Sequence, residues 1–163
     1  MKFFIFDTQE EGGACAARRI CQLVSEKPDA MLCLAAGHSS LPVFSALVAA
    51  SKEGEADFSK ARFVGMDEWL GVPPENEGSC ANFLRRSLFG PLGVSEDQIC
   101  LFDAMTSEPE RECERMSSFV RQAGGLDFVL LGVGMNGHLA LNEPHAGLNM
   151  AARRVKLDAE TVR

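Results

Sequence analysis

Three short stretches of this sequence put proton-transferring or anion-holding groups among small residues that leave room for a ligand. The first is Ala35-Ala36-Gly37-His38-Ser39-Ser40-Leu41-Pro42. Its small residues and hydroxyls would let a phosphate approach backbone N–H groups and the positive end of a following helix. Simple helix capping by Ser39 or Ser40 is the alternative. No Gly-Lys-Ser/Thr follows, so this is not a Walker A loop. The second stretch is Met66-Asp67-Glu68-Trp69-Leu70-Gly71. Of two adjacent carboxylates, one can face a cleft and act as a base while the other pairs elsewhere. Desolvation would raise the pKa of the cleft carboxylate, which suits proton abstraction. The competing reading makes both solvated loop charges, with Trp69 a packing residue.

The third stretch is Gly132-Val133-Gly134-Met135-Asn136-Gly137-His138-Leu139-Ala140-Leu141-Asn142-Glu143-Pro144. Gly132-x-Gly134-x-x-Gly137 spells a dinucleotide fingerprint, and Asp158 even lies at the usual distance for its acidic partner. That fingerprint requires a long helix opening at its third glycine. Pro144 and Gly147 interrupt any such helix, so the fingerprint is rejected. The glycines instead shape a loop that places His138 and Glu143 in a cleft. Histidine carries a proton both ways near neutral pH. A carboxylate nearby can orient it and stabilise its charged form. A satisfied structural histidine is the plain alternative.

The elements that must position these loops follow from alternating apolar runs and amphipathic stretches, a βαβ pattern. Strands are expected at Phe3–Phe6, Ala30–Leu34, Arg62–Met66, Ile99–Phe102 and Phe128–Leu131. Ala30–Leu34 is apolar throughout, as a strand buried on both faces should be. Thr8 with Glu11 forms a capping box for a helix that ends near Lys27-Pro28. Leu41–Lys52 reads as a helix, as does Ser79–Phe89, stopped by Gly90-Pro91. Ser107 with Glu110 opens another, stopped by Gly124-Gly125. A last helix is expected from Asp158 into Val162-Arg163. The fold expected is α/β: one open, mostly parallel sheet with helices on both faces, in a single domain over 1–163. Ligands of such sheets bind beyond the carboxyl ends of the strands, where all three loops fall.

Composition narrows the function. A net charge of −7 argues against a nucleic-acid surface. No apolar run approaches the ~18 residues of a membrane span. The six cysteines include no C-x-x-C pair, which disfavours zinc. They read as reduced thiols in the cytoplasm, since the short apolar start is not a secretory leader.

Together the three loops resemble the glucosamine-6-phosphate deaminase family. The 132–144 segment looks like its signature, and Met-Asp-Glu-Trp-Leu-Gly at 66–71 is similar to the segment bearing its base. Gly78-Ser79-Cys80-Ala81-Asn82-Phe83-Leu84 and Pro91-Leu92-Gly93-Val94 look closest to the galactosamine-6-phosphate isomerase branch. The resemblance runs over essentially the whole chain. It implies a modified Rossmann-like fold, no metal and no redox cofactor. It also implies isomerisation of an amino-sugar 6-phosphate with loss of ammonia. By resemblance, Asp67 is the base that moves a proton between C2 and C1. His138 opens the pyranose ring, Glu143 supports it, and Gly37, His38, Ser39 and Ser40 cradle the phosphate. Asn136 joins the catalytic group but stands where some deaminases carry aspartate. Glu68, Gly134 and Gly137 are expected at the substrate pocket. The family continues beyond Arg163 with an arginine and a lysine for phosphate, so the chain is expected to lack its C-terminal segment.

Two other functions share these features. A 6-phosphogluconolactonase would also use His138 but lacks the Asn-Glu-Pro continuation at 142–144. A sugar-phosphate sensor would bind without turnover. The partner expected is a small amino-sugar phosphate, with no nucleic acid or membrane, and a homo-oligomer is compatible with the sequence.

Overall fold

A computed structural model describes residues 2–144, 146–147, 151–159 and 161. Helix α1 (Gln9–Glu26) opens at Thr8, whose extended backbone lets its hydroxyl accept the Glu11 N–H at 3.2 Å. The Glu11 carboxylate reaches back to the N–H of Asp7, one residue before the cap. Gly13, Ala17, Ile20 and Val24 are buried along one stripe, at the spacing of one helix face. Helix α2 (Leu41–Lys52) buries Val43, Phe44 and Leu47. A side chain at Gly13 would lie 2.5 Å from Pro42 Cβ, so the two helices meet closely there because residue 13 has none.

Strand β1 (Met31–Leu34) is buried at every position. It pairs in parallel with β2 (Arg62–Gly65) on one side and β4 (Phe128–Leu130) on the other. Strand β3 (Ile99–Cys100) pairs in parallel with β2, giving the order β3-β2-β1-β4. The period of two along β1 divides the core between two faces. Leu32 and Leu34 pack with α1 and α2 residues such as Ile20 and Phe44. Met31 and Cys33 pack with Met116 of helix α5 (Pro109–Gln122). Helices therefore cover both faces of a parallel sheet, as expected.

Several boundaries differ from the sequence reading. Phe3–Phe6 is not a strand: it has no ladder partner among the described residues, and its apolar side chains are exposed. An apolar run supplies a face but not a neighbouring edge to pair with. The helix from Cys80 does not stop at Gly90-Pro91. Helix α3 (Cys80–Leu84) widens into a π-helical turn at Arg85–Phe89 and closes as α4 (Gly90–Leu92), ending at left-handed Gly93. The wider turn lets the Gly90 N–H reach the Arg85 carbonyl. Helix α5 is capped at Glu108 rather than Ser107, with no side-chain cap bond, because Pro109 takes the first helical position. The helix expected from Asp158 falls partly on 160, 162 and 163, outside the described residues. Its first residues form a turn in which the Thr161 N–H reaches the Asp158 carbonyl at 3.0 Å.

Candidate active site

Strands β1, β2 and β4 run parallel, so their carboxyl ends point the same way and deliver the three loops to one rim. The Ala35 N–H donates to the Leu130 carbonyl at 3.0 Å, tying the loop after β1 to the end of β4. A side chain at Gly132 would lie 3.4 Å from Ser39 Oγ, so these loops also touch.

After β1, Gly37 adopts φ 131, a conformation that favours glycine, and leads into a 3-10 turn at His38–Ser40. His38 and Ser39 are exposed. Ser40 is not: it is buried, and its hydroxyl donates to the Ala35 carbonyl at 3.0 Å. That hydroxyl holds the loop's shape from inside, so Ser40's expected place in a phosphate cradle is reduced to a supporting one. Neither serine caps α2 through its side chain.

After β2, the adjacent carboxylates separate in function. Asp67 lines a cavity of about 630 Å³, together with Trp69, Phe102, Leu141 and Arg153. Burial pushes the Asp67 carboxyl above its ordinary range, and the neighbouring Glu68 charge adds to this. A hydrogen bond from Cys80, the His138 charge and the Leu141 N–H oppose the shift. Glu68 also borders the cavity, yet its oxygens are taken up. They accept the Trp69, Cys80 and Ala81 N–H groups and the Ser79 hydroxyl at 2.8–2.9 Å. Three of these donors lie at the start of α3, where a helix favours a negative charge. Glu68, expected to face the substrate, is thus an anchor for the Asp67 loop.

Among the described residues the loop after β4 contains no helix, in line with the rejection of the dinucleotide fingerprint. Val133 and Asn142 each bridge Leu139, folding the loop on itself. The Gly134 N–H donates to the His138 carbonyl at 2.8 Å, and the Gly137 N–H to the Gly134 carbonyl at 2.9 Å. A Cβ at Gly134 would fall 2.1–2.4 Å from three atoms of the His138 ring, and Gly137 has φ 88. Both glycines, expected at the pocket, therefore seat His138 and do not line the cavity. Ala140 has φ 53, uncommon for a residue with a side chain. It precedes the Leu141 N–H that reaches Asp67.

His138 does not meet Glu143 directly; Asn136 stands between. Asn136 Oδ1 lies 2.7 Å from His138 Nδ1 and accepts the His138 N–H at 3.0 Å. Asn136 Nδ2 donates to Glu143 Oε2 at 2.8 Å. An amide oxygen only accepts, so the proton of the neutral imidazole sits on Nδ1 and leaves a lone pair on Nε2. Hydrogen bonds from Thr161, from the Asp158 N–H and from Asn136 hold Glu143 below the usual carboxylate range. Arg153 donates to Asn142 Oδ1 at 2.7 Å. Sequence reasoning passed over Thr161 and Arg153, because nothing in the local pattern shows which loop they fold back upon.

The family model described as glucosamine-6-phosphate isomerases/6-phosphogluconolactonase matches residues 8–154. The chain belongs to this family. The glucosamine-6-phosphate deaminase of Bacillus pumilus (strain SAFR-032) is 33% identical over 161 residues, 99% of this chain and 67% of that protein. The Escherichia coli (strain K12) relative, named as a deaminase, is 38% identical over 146 residues, 90% of this chain and 58% of its own length. Among solved structures, a monomeric glucosamine-6-phosphate deaminase of the NagB superfamily superimposes with a TM-score of 0.94 at 28% identity, covering 99% of this chain and 67% of that one. The 6-phosphogluconolactonase of Thermotoga maritima gives a TM-score of 0.71 at 24% identity, over 85% of this chain and 62% of that one, a likeness of fold. The chain thus spans about three fifths to two thirds of the length of these relatives.

Proposed function

We propose that the protein carrying this chain converts an amino-sugar 6-phosphate, of gluco or galacto configuration, to the ketose 6-phosphate and ammonia. The observation that carries the reading is the nearness of two proton-handling groups: the His138 charge acts on the Asp67 carboxyl, and Leu141 of the same loop lines the cavity beside Asp67, although His138 itself does not line it. A desolvated Asp67 at the end of β2 is reached by the same loop that orients His138 through Asn136. In this scheme His138 Nε2 takes the proton of the O1 hydroxyl and returns it to the ring oxygen as the C1–O5 bond breaks. Asp67 removes the C2 proton, the C–H electrons form the C1–C2 double bond, and the π electrons of the C1 carbonyl move onto O1, giving an enolamine in its enolate form. The same proton returns to C1, the nitrogen lone pair forms the C2–N double bond, and one N–H proton passes to O1, leaving a C2 imine and a C1 hydroxyl. Water adds to that imine, and ammonia leaves. Asn136 fixes the tautomer of His138, and Glu143 supplies the negative charge behind it. The loop at Gly37, His38 and Ser39 is the place for the phosphate, with Ser40 beneath it. The scheme uses no metal or redox cofactor.

The assay measures ammonia release from glucosamine 6-phosphate and galactosamine 6-phosphate, beside hydrolysis of 6-phosphogluconolactone. Ammonia release with no lactone hydrolysis is expected. Lactone hydrolysis alone, or binding of an amino-sugar phosphate with no product, would refute the reading. We further assign the protein to the cytoplasm with reduced thiols. No described helix is long and apolar enough to cross a membrane. A homo-oligomer remains part of the proposal, to be tested by sedimentation; the similar deaminase structure is of a monomeric enzyme.

A further inference from the structure

We propose that Thr161 is a positioning residue for the ring-opening histidine, its hydroxyl closing a polar ring with Asn136, Glu143 and His138. The inference rests on the role given to His138 above. Thr161 Oγ1 lies 3.4 Å from His138 Nδ1 and 3.4 Å from Asn136 Nδ2. The same hydroxyl is the foremost of the groups that hold the Glu143 carboxyl below the usual carboxylate range. Glu143 is engaged from two sides: Oε2 takes the Asn136 amide at 2.8 Å, and Oε1 takes the Asp158 N–H at 3.0 Å.

The geometry explains why a hydroxyl is needed there. Asn136 holds His138 only while its amide keeps one orientation, with oxygen toward the imidazole and nitrogen toward Glu143. A carboxylate free to swing would release Nδ2 and let the amide turn, presenting a donor to Nδ1 and changing the histidine tautomer. Nε2 would then carry the proton and could not accept one from the sugar. The Asp158 N–H pins the carboxylate at its other oxygen, Thr161 Oγ1 sits beside the Asn136 amide and the imidazole, and the turn joining the two sets their spacing. The histidine in the loop after β4 is therefore oriented by a segment some twenty residues further on.

Thr161→Val keeps the shape and removes the hydroxyl, while Thr161→Ser keeps the hydroxyl. In the full-length protein, turnover of a pyranose amino-sugar 6-phosphate should fall about tenfold in Thr161→Val, the worth of one hydrogen bond to a charged group. KM should stay within about twofold, because the residue does not touch the phosphate loop, and Thr161→Ser should recover most of kcat. Valine retaining kcat within about twofold, or serine as impaired as valine, overturns the proposal. A second readout is independent of substrate. Nitrogen-15 NMR of the imidazole, assigned with His138→Gln, should show the Nδ1–H tautomer in the parent and a mixture in Thr161→Val. An Nε2–H tautomer in the parent, or identical spectra, overturns the inference even if no amino-sugar phosphate is turned over. That last result alone would count against the proposed activity, not against the positioning role.

Discussion

Asp67 is held in a surrounding that opposes its charge, and the cost appears in stability as well as in chemistry. Its carboxyl keeps its proton to higher pH when folded than its ordinary value of 3.8. The folded state therefore binds more protons across the window above that value, and stability falls as pH rises through it. Asp67→Asn removes the charge in nearly the same shape. It should lower turnover by ~10²–10⁴-fold, the contribution of a general base. At neutral pH its melting temperature should equal or exceed the parent's. Less than a threefold loss of kcat, or a clear drop in melting temperature, would remove Asp67 from the role of buried base. Turnover of the parent should also fail on the acid side at a pH above 3.8, because the base works only when deprotonated. Gly134 makes a similar demand through shape. Its missing Cβ is occupied by the His138 ring, with atoms as near as 2.1 Å. Gly134→Ala must displace that ring, and a misplacement of this size costs roughly 10²-fold in rate. Kinetics alongside circular dichroism would separate this from unfolding, since the loop lies outside the hydrophobic core.

Single side chains act here only because elements hold them, and Glu68 is the clearest link between an element and the chemistry. It joins the end of β2 to the start of α3 by hydrogen bonds to Ser79, Cys80 and Ala81. Glu68→Ala leaves three backbone N–H groups and a hydroxyl without that partner, at a cost of about 2–4 kcal/mol after allowing for partial solvent access. At about 2–4 °C per kcal/mol this is a fall of roughly 5–15 °C in melting temperature, measurable by calorimetry. Glu68→Gln should fall by less, because its amide oxygen still accepts. An unchanged melting temperature in the alanine variant would mean that the loop is held by something else. The adjacent carboxylates at 67 and 68 were readable from sequence as one facing a cleft and one paired elsewhere, because ligands bind at strand ends in parallel sheets. Which oxygens were taken was not readable, since the donors come from residues 79–81, across an intervening loop. The strands of the buried sheet were legible because Met31–Leu34 and Phe63–Gly65 are apolar on both faces. Pro91 misled, because a π-turn lets a helix pass a proline that an α-turn would not. Ser107 misled because Pro109 fixes the start of α5 one residue later than the capping pattern suggests. The resemblance pointed to Asn136 as a neighbour of His138 and Glu143, which its hydrogen bonds make it. Its place between His138 and Glu143 depends on a fold of the loop that no spacing reveals.

At the scale of the whole molecule, charge and apolar surface pull in different directions. A net charge of −7 favours dispersed monomers. Strand β4 lies at one edge of the sheet, and no described strand pairs its outer side. Val129 and Leu131 lie on the more exposed face of this strand and its extension, at 44% and 41%, and Val133 beyond them reaches 73%. Phe3 and Ile5 are exposed at 79% and 94%. An unpaired edge with an apolar face is a template for another strand. A polypeptide of these 163 residues alone should therefore associate as concentration rises, despite its charge. Sedimentation velocity across a concentration series would show a monomer giving way to larger species, with added salt screening repulsion and promoting the shift. Val129→Lys with Leu131→Lys places two like charges on the face that would be covered and should hold the polypeptide monomeric. Monomer at every concentration in the parent would show that the charge outweighs the edge. Association unchanged by the lysines would move the contact away from β4, with the exposed apolar residues at 3–6 the next surface to substitute.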